Sequence, residues 1–553
     1  MAKFLFDRSQ FPDVTYADVY IPPSNDIEAA VRSVATPAEM RQINDLALDR
    51  ERSRDIALRD PSAVNSTAAT IALQKYHALY RELALRHGLG KGFSRDEVDL
   101  TPPRGGLSTT PVIVANMNTV TGKRMAEAIA RVGGIAAIPQ DKSDTEMTSI
   151  IEYMRTRHVI YQTPVSITMD TKVHEFRRYV QKRDVEDTAV VLGSDEELVG
   201  ILSPSDLPMG INEDQPVAAF VRSGDIVTAE EGITPMQALD LMEERRIHFL
   251  PIRRDGKVVG ILTKKHAAML LRYRPNEDSE HGGLNMIVTV GALNRDPVGR
   301  VQYLVEHGVQ NILLDTANFD QGIVTYHNLE KVRKISPHLN ILVGNMVTRD
   351  AVRRAIGAGA NGVKIGVGPG FVCTTRLMSG AGRPQVSAVA DCAEEAHIYD
   401  VYAVADGGIN PYRAPGDAAK AVIAGADYVM LGSPFAPVKE SPPELQRDES
   451  GEFKGHQGMA NRNSSVVRMH GRTDRTSLQK FRDVVGHRSE GVAIKIYQHP
   501  DFRTASDVHH AVCDGITAGA GYCDSLDMRA LQDGPLGLQF PSGYHEGLGK
   551  SAM

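Results

Sequence analysis

From Asn285 onward, short continuously apolar runs alternate with stretches whose apolar residues recur every three or four positions. The runs lie at 286–290, 311–314, 340–343, 362–365, 401–404 and 428–431. Helix-patterned segments such as 298–307 and 349–358 separate them. Strands that are apolar on both faces and joined by helices belong to a buried parallel sheet. A further run at 111–115, followed by a helical pattern over 123–132, brings the strand count close to eight. The pattern predicts an α/β fold, a (β/α)8 barrel interrupted by an insertion. Residues 37–95 read as a helical hairpin split near Pro61 and ending at Gly88 to Gly90. Its apolar positions are Ile43, Leu46, Leu48, Ile71, Leu73, Leu79 and Leu83, and no chemistry is assigned to it.

The insertion carries an internal repeat. Residues 198–203, Leu-Val-Gly-Ile-Leu-Ser, recur at 258–263 as Val-Val-Gly-Ile-Leu-Thr. Each copy reads as a strand, an amphipathic helix (173–181 and 235–244), two β-rich segments and a turn into a helix. This arrangement resembles a tandem pair of CBS domains at 156–272, divided at about residue 215. The barrel then occupies 1–155 and 273–553, the latter with the catalytic loop and a C-terminal flap region. The resemblance implies a regulatory adenine or guanine nucleotide held by Ser203 and Asp206 in the first copy. The second copy has His266 where the first has Asp206, which puts a site there in doubt. A lid without any ligand is the competing reading.

Composition narrows the class. A net charge of -7 excludes a generally basic surface, so nucleic acid and anionic membranes are not expected partners. Any phosphate must be gripped locally. No apolar run approaches the roughly 18 residues of a membrane span, and the N-terminus reaches Asp7 and Pro12 too early for a signal peptide. Four cysteines in 553 residues form neither a disulfide framework nor a CxxC metal site, so a reducing cytoplasm is expected.

The chemistry-bearing segment is 364–376, Lys-Ile-Gly-Val-Gly-Pro-Gly-Phe-Val-Cys-Thr-Thr-Arg. A strand runs into three glycines, where backbone can approach a ligand closely, and then into Cys373. In a barrel such a loop lies at the C-terminal mouth, where a thiol is a candidate nucleophile. A buried, inert thiol is the alternative, and it suits Cys392 in its Ala-rich helix better.

This segment closely resembles the catalytic loop of the IMP dehydrogenase and GMP reductase family. Gly382 to Gln385 continue the match, Thr15 to Val19 are similar to the family's N-terminal signature, and 405–409 and 429–433 look like its ribose and phosphate blocks. The resemblance implies covalent attack of Cys373 on C2 of a purine nucleotide, with hydride passing between that carbon and a nicotinamide. Thr375 would handle protons. Asp406 would accept the ribose hydroxyls, and Gly407, Gly408, Gly432 and Ser433 would hold the 5′-phosphate. Met117, Asn345, Gly370, Met459 and Ala460 complete the implied substrate site, and Asp315, Thr316, Ala317 and Asn318 the cofactor side. Backbone carbonyls of Gly368, Gly370 and Cys373 would hold a monovalent cation such as K+. Family members usually have Ser where this chain has Phe371, so one hydroxyl contact to phosphate is missing. The resemblance also implies a homotetramer or octamer.

Direction is read from three details. Asn116 and Asn318 match reductase-like blocks, where dehydrogenases usually differ. The Arg-Tyr pair with which dehydrogenases activate water has no counterpart in the C-terminal region, where 471–476 is the nearest basic stretch. Against this, Arg462 stands where short reductases carry a catalytic Glu, and a guanidinium cannot accept a proton. Glu490 is the candidate substitute. The longer, CBS-containing bacterial reductase branch combines these features. The expectation is therefore NADPH-dependent deamination of GMP to IMP. NAD-dependent oxidation of IMP to XMP is the alternative, and a catalytically dead nucleotide sensor is a third reading.

Overall fold

The computed structural model describes residues 94–458 and 492–538 continuously. It also describes 3–4, 15–16, 19–21, 35–59 and scattered positions within 71–83.

Eight parallel strands close into a barrel: β1 (Val112–Val114), β2 (Ile135–Ile138), β3 (Ile287–Gly291), β4 (Asn311–Asp315), β5 (Asn340–Met346), β6 (Gly362–Ile365), β7 (Tyr402–Asp406) and β8 (Tyr428–Leu431). Neighbours in sequence are neighbours in the sheet, and β8 pairs with β1 to close it. Helices follow the strands, among them Lys123–Arg131, Pro297–Glu306, Arg349–Gly357 and Gln385–His397. Buried aliphatic residues face them on one side of the sheet. Ile113, Ile135, Ile287, Leu313 and Leu342 pack inward with Tyr402 and Tyr428, forming a filled interior. The two tyrosine rings meet edge-on at 5.6 Å. Gly362 is required there, because a Cβ at that position would lie 2.1 Å from the Tyr402 ring.

Between the helix Asp144–Arg155 and β3 the chain builds two three-stranded sheets. One pairs Ser166–Ile167, Ala189–Leu192 and Leu198–Leu202, the other Ala229–Glu230, Phe249–Arg254 and Lys257–Thr263. In each, the first pairing is parallel and the second antiparallel. The sequence repeat thus corresponds to a repeated winding. Two apolar clusters fill the insertion, one around Phe176 and Val190, which Phe249 and Ile261 of the second half join, the other around Met242 and Leu250.

The insertion is fastened to the barrel by buried charge. Glu127 accepts from Arg131 on its own helix, from Thr163 and Tyr153, and from Arg183 of the insertion at 3.1 Å. Lys265, from the second half, reaches Asp184 at 3.1 Å and Asp507 at 2.8 Å. Asp507 belongs to the long helix Ala505–Tyr522, which is capped by Thr504.

The helix Pro37–Arg59 forms before Pro61, as its pattern predicts. Ile43 and Leu83 are buried, but Leu48 and Ile71 face outward, so not every apolar position of this segment packs inward. Among the described residues, no helix is long and apolar enough to cross a membrane.

Candidate active site

The loops at the C-terminal ends of the strands surround a cavity of about 1360 Å³. Its lining includes Met117, Asp315, Thr316, Ala317, Asn345, Gly368, Gly370, Cys373, Thr375, Asp406, Gly407, Gly408, Gly432 and Ser433. Fourteen positions singled out in the sequence therefore converge on one space.

The loop after β6 carries the thiol. Gly370 turns its carbonyl to accept the Cys373 amide at 3.0 Å, which bends the chain so that Cys373 is half-buried at the cavity wall. The Cys373 thiol donates to the Thr375 hydroxyl at 3.3 Å. Arg376, next on this loop, braces it by donating to the Val367 carbonyl at 3.0 Å and to that of Arg383. Cys392, by contrast, lies fully buried in the helix Gln385–His397, and burial pushes its thiol up to about 12.

Asp406 ends β7, and the turn after it has φ of +88° at Gly407 and +86° at Gly408, a backbone that favours glycine. A Cβ on Gly407 would sit 3.3 Å from the Gly370 amide nitrogen, so the two loops meet here. On the β8 side the Ser433 hydroxyl lies 3.1 Å from Nε2 of His456, whose Nδ1 lies 2.8 Å from the Thr119 hydroxyl. Burial lowers His456 to about 4, so the ring is neutral and bridges two hydroxyls. Sequence reasoning assigned His456 no role; an isolated histidine in a β-rich stretch gives no signal.

Lys364 was likewise missed. It is a charged residue in the otherwise apolar strand β6, and its side chain is 4% exposed. It pairs with Asp315 and Asp406, each at 3.0 Å, and donates to Asn345. Burial alone would lower its pKa, but the two carboxylates more than reverse that and raise it. A lone cation in a buried strand was the available signal. Asn345 donates to Asp406 at 2.8 Å and to the Gly366 carbonyl at 2.7 Å, and Asn116 donates to Asp315 at 3.1 Å.

Asn318 is placed differently. Its side chain accepts from the Asp320 amide at 3.1 Å, capping the one-turn helix Phe319–Gln321, and it is not part of the cavity lining. Ser203 and Asp206 lie in the insertion, away from that lining. The Asp206 carboxylate accepts from the Ser203 amide at 2.7 Å and pairs with Arg222 at 3.1 Å. In the second half, Thr263 and His266 are buried, and the Thr263 hydroxyl accepts from the His266 amide. Met459, Ala460 and Glu490 lie outside the described residues, as do Arg462 and 471–476.

Residues 104–548 match the family model described as IMP dehydrogenase / GMP reductase domain. The chain is 32% identical over 477 residues to the GMP reductase of Mycobacterium tuberculosis, covering 85% of this chain and 96% of that protein. It is 33% identical over 428 residues to the inosine-5′-monophosphate dehydrogenase of Bacillus subtilis, covering 76% and 84%. The crystal structure of a Trypanosoma brucei GMP reductase in complex with guanosine 5′-monophosphate aligns with a TM-score of 0.59 over 98% of each chain. At 23% identity that likeness is one of fold.

Proposed function

The chain belongs to the IMP dehydrogenase / GMP reductase family, and on that premise we propose that it is a GMP reductase, converting GMP to IMP and ammonia with NADPH. The observation that carries this reading is the Cys373 thiol bonded to the Thr375 hydroxyl in the cavity that Asp406 and its glycine turn also line. The fuller coverage of the mycobacterial reductase supports the direction.

The cavity exceeds the roughly 300–1,000 Å³ of a single small-ligand pocket, which suits a mononucleotide beside a dinucleotide. Asp406 accepts the ribose hydroxyls, and the Gly407, Gly408 and Gly432 amides with Ser433 hold the phosphate. Asn345 and Met117 border the base. Sγ of Cys373 bonds to C2 of the guanine, and the bond from C2 to the 2-amino nitrogen breaks. Thr375 passes a proton to that nitrogen, which leaves as ammonia. Asp315, Thr316 and Ala317 are the residues that would hold NADPH, which would supply the hydride when bound. C2 receives it as the Sγ–C2 bond breaks, which restores the thiolate and yields IMP. Glu490 is the candidate for the remaining proton transfer. The carbonyls of Gly368, Gly370 and Cys373 are the groups that would hold a monovalent cation; that of Gly370 already accepts one amide.

The insertion fits the same reading as a CBS pair that takes an adenine or guanine nucleotide at Ser203 and Asp206, within a homotetramer or octamer. Purified protein given GMP with NADPH, and separately IMP with NAD, tests the reaction. NADPH oxidation dependent on GMP, with one ammonia released per NADPH, is expected. NADH formation from IMP without GMP-dependent oxidation would establish the dehydrogenase instead, and neither activity the sensor.

A further inference from the structure

Five polar residues form an arc around the barrel mouth: Asn116, Asp315, Lys364, Asp406 and Asn345. Lys364 is its centre. An ammonium has three donors, and here they go to Asp315, Asp406 and Asn345, so none is left for a ligand. The two carboxylates each lie 3.0 Å from the same nitrogen and both line the cavity. In the proposed function Asp406 serves the nucleotide and Asp315 the dinucleotide.

We propose that Lys364 is a positioning residue that couples the two nucleotide sites, because one buried ammonium is shared between the carboxylate serving each. This rests on the proposed roles of Asp406 and Asp315. The negative charge of each carboxylate offsets part of the positive potential that Lys364 imposes on the other, which keeps each a good acceptor of ribose hydroxyls. Neutralising Asp315 removes that offset, so Asp406 sits in a more positive potential and is a poorer acceptor. Removing the ammonium does something different. Two carboxylates then face each other in a poorly solvated site, and one takes up a proton. A protonated Asp406 loses its charge-assisted bonds to the ribose. In that setting the charge on Asp315 is harmful, so neutralising it helps. The effect of one substitution thus reverses sign with the presence of Lys364. Among the described residues the Tyr16 phenol also interacts with Asp406, and burial first, and then Asp417 and Asp406, hold it in its neutral form; Cys373 and Arg413 line the same cavity. Asn116 and Asn345 are uncharged.

The test is GMP affinity measured by calorimetry on the full chain without NADPH. In the otherwise unaltered protein, Asp315→Asn should weaken GMP binding roughly three- to tenfold. Lys364→Met should weaken it by more than about tenfold, and its affinity should recover as pH rises. Adding Asp315→Asn to Lys364→Met should strengthen binding relative to Lys364→Met alone. An equal effect of Asp315→Asn in both backgrounds, or none in the first, overturns the coupling. Should Lys364→Met not fold, Lys364→Arg keeps the test, since it retains the shared charge and should keep the Asp315→Asn penalty. Asp406→Ala separates the two claims: GMP affinity untouched by it would remove the ribose reading itself, whereas weakened affinity without any response to Asp315→Asn removes the coupling alone.

Discussion

The thiol of Cys373 donates to the hydroxyl of Thr375 across 3.3 Å, two residues along a loop whose amide-to-carbonyl bond from Cys373 to Gly370 sets the bend. The proposed nucleophile and the proposed proton-handling group are therefore brought together by local backbone geometry before any ligand binds.

Cys373→Ala should reduce turnover by roughly three orders of magnitude or more while GMP still binds. Steady-state NADPH oxidation and a separate GMP titration check the two halves. Residual turnover within about tenfold of the original would remove the thiol from the chemistry.

Thr375→Val keeps the shape of the side chain and deletes its hydroxyl. Turnover should fall on the order of 10²-fold, the usual size of a lost proton-transfer group. GMP affinity should be unchanged, so the loss belongs to kcat.

Burial lowers the pKa of five histidines in the described residues: His266 and His456 to about 4, His509 to about 3, and His158 and His510 in the same direction. Below their unfolded value near 6.5, the unfolded chain binds protons that the folded one refuses. Stability is therefore full above that pH and falls as pH drops toward 4. Glu440, Glu186 and Asp417 act oppositely, since burial raises all three, Glu440 to about 7, and the folded state takes up their protons first. Five histidines outweigh three carboxyls, so Tm should decline between about pH 6.5 and pH 5. A Tm that rises through this window would contradict the assignment of buried neutral rings.

Glu127 is the anchor between barrel and insertion. Burial alone would raise its pKa, but Arg131 and Arg183 lower it, so it is charged. Glu127→Gln leaves two arginines without their counter-charge. Urea unfolding should show a loss of about 3–5 kcal/mol, or an early transition as the insertion detaches. A change below about 1 kcal/mol would place the anchor elsewhere.

Much of this was legible in the sequence because barrel strands are apolar on both faces. Tyr428–Leu431 and Gly362–Ile365 have the bounds their apolar runs predict. Other strands extend beyond the run at their C-terminal ends, to Asp315, Met346 and Asp406. Asp315, Asn345 and Asp406 within these extensions are polar and line the cavity, and an apolar pattern cannot register them. The second strand, Ile135–Ile138, escaped notice: its Ala-Ala centre lacks β-branching, and only Val132 and a glycine pair separate it from the preceding helix. Cys373 was legible because a glycine-rich loop that ends in a thiol is an unusual residue pattern, whereas Asp406 and the glycine turn after it were legible through the family resemblance. His456 and Lys364 depend on pairings across the barrel, which spacing along the chain does not encode. Asn318 illustrates the converse, a polar residue at a strand end that caps a turn.

The most direct measurement is a crystal structure of the unaltered protein soaked with GMP and without cofactor. It should place C2 of the guanine in line with the Cys373 sulfur and the ribose hydroxyls on Asp406. Density showing GMP bound with its base turned away from Cys373, or its sugar held elsewhere than at Asp406, would contradict the mechanism.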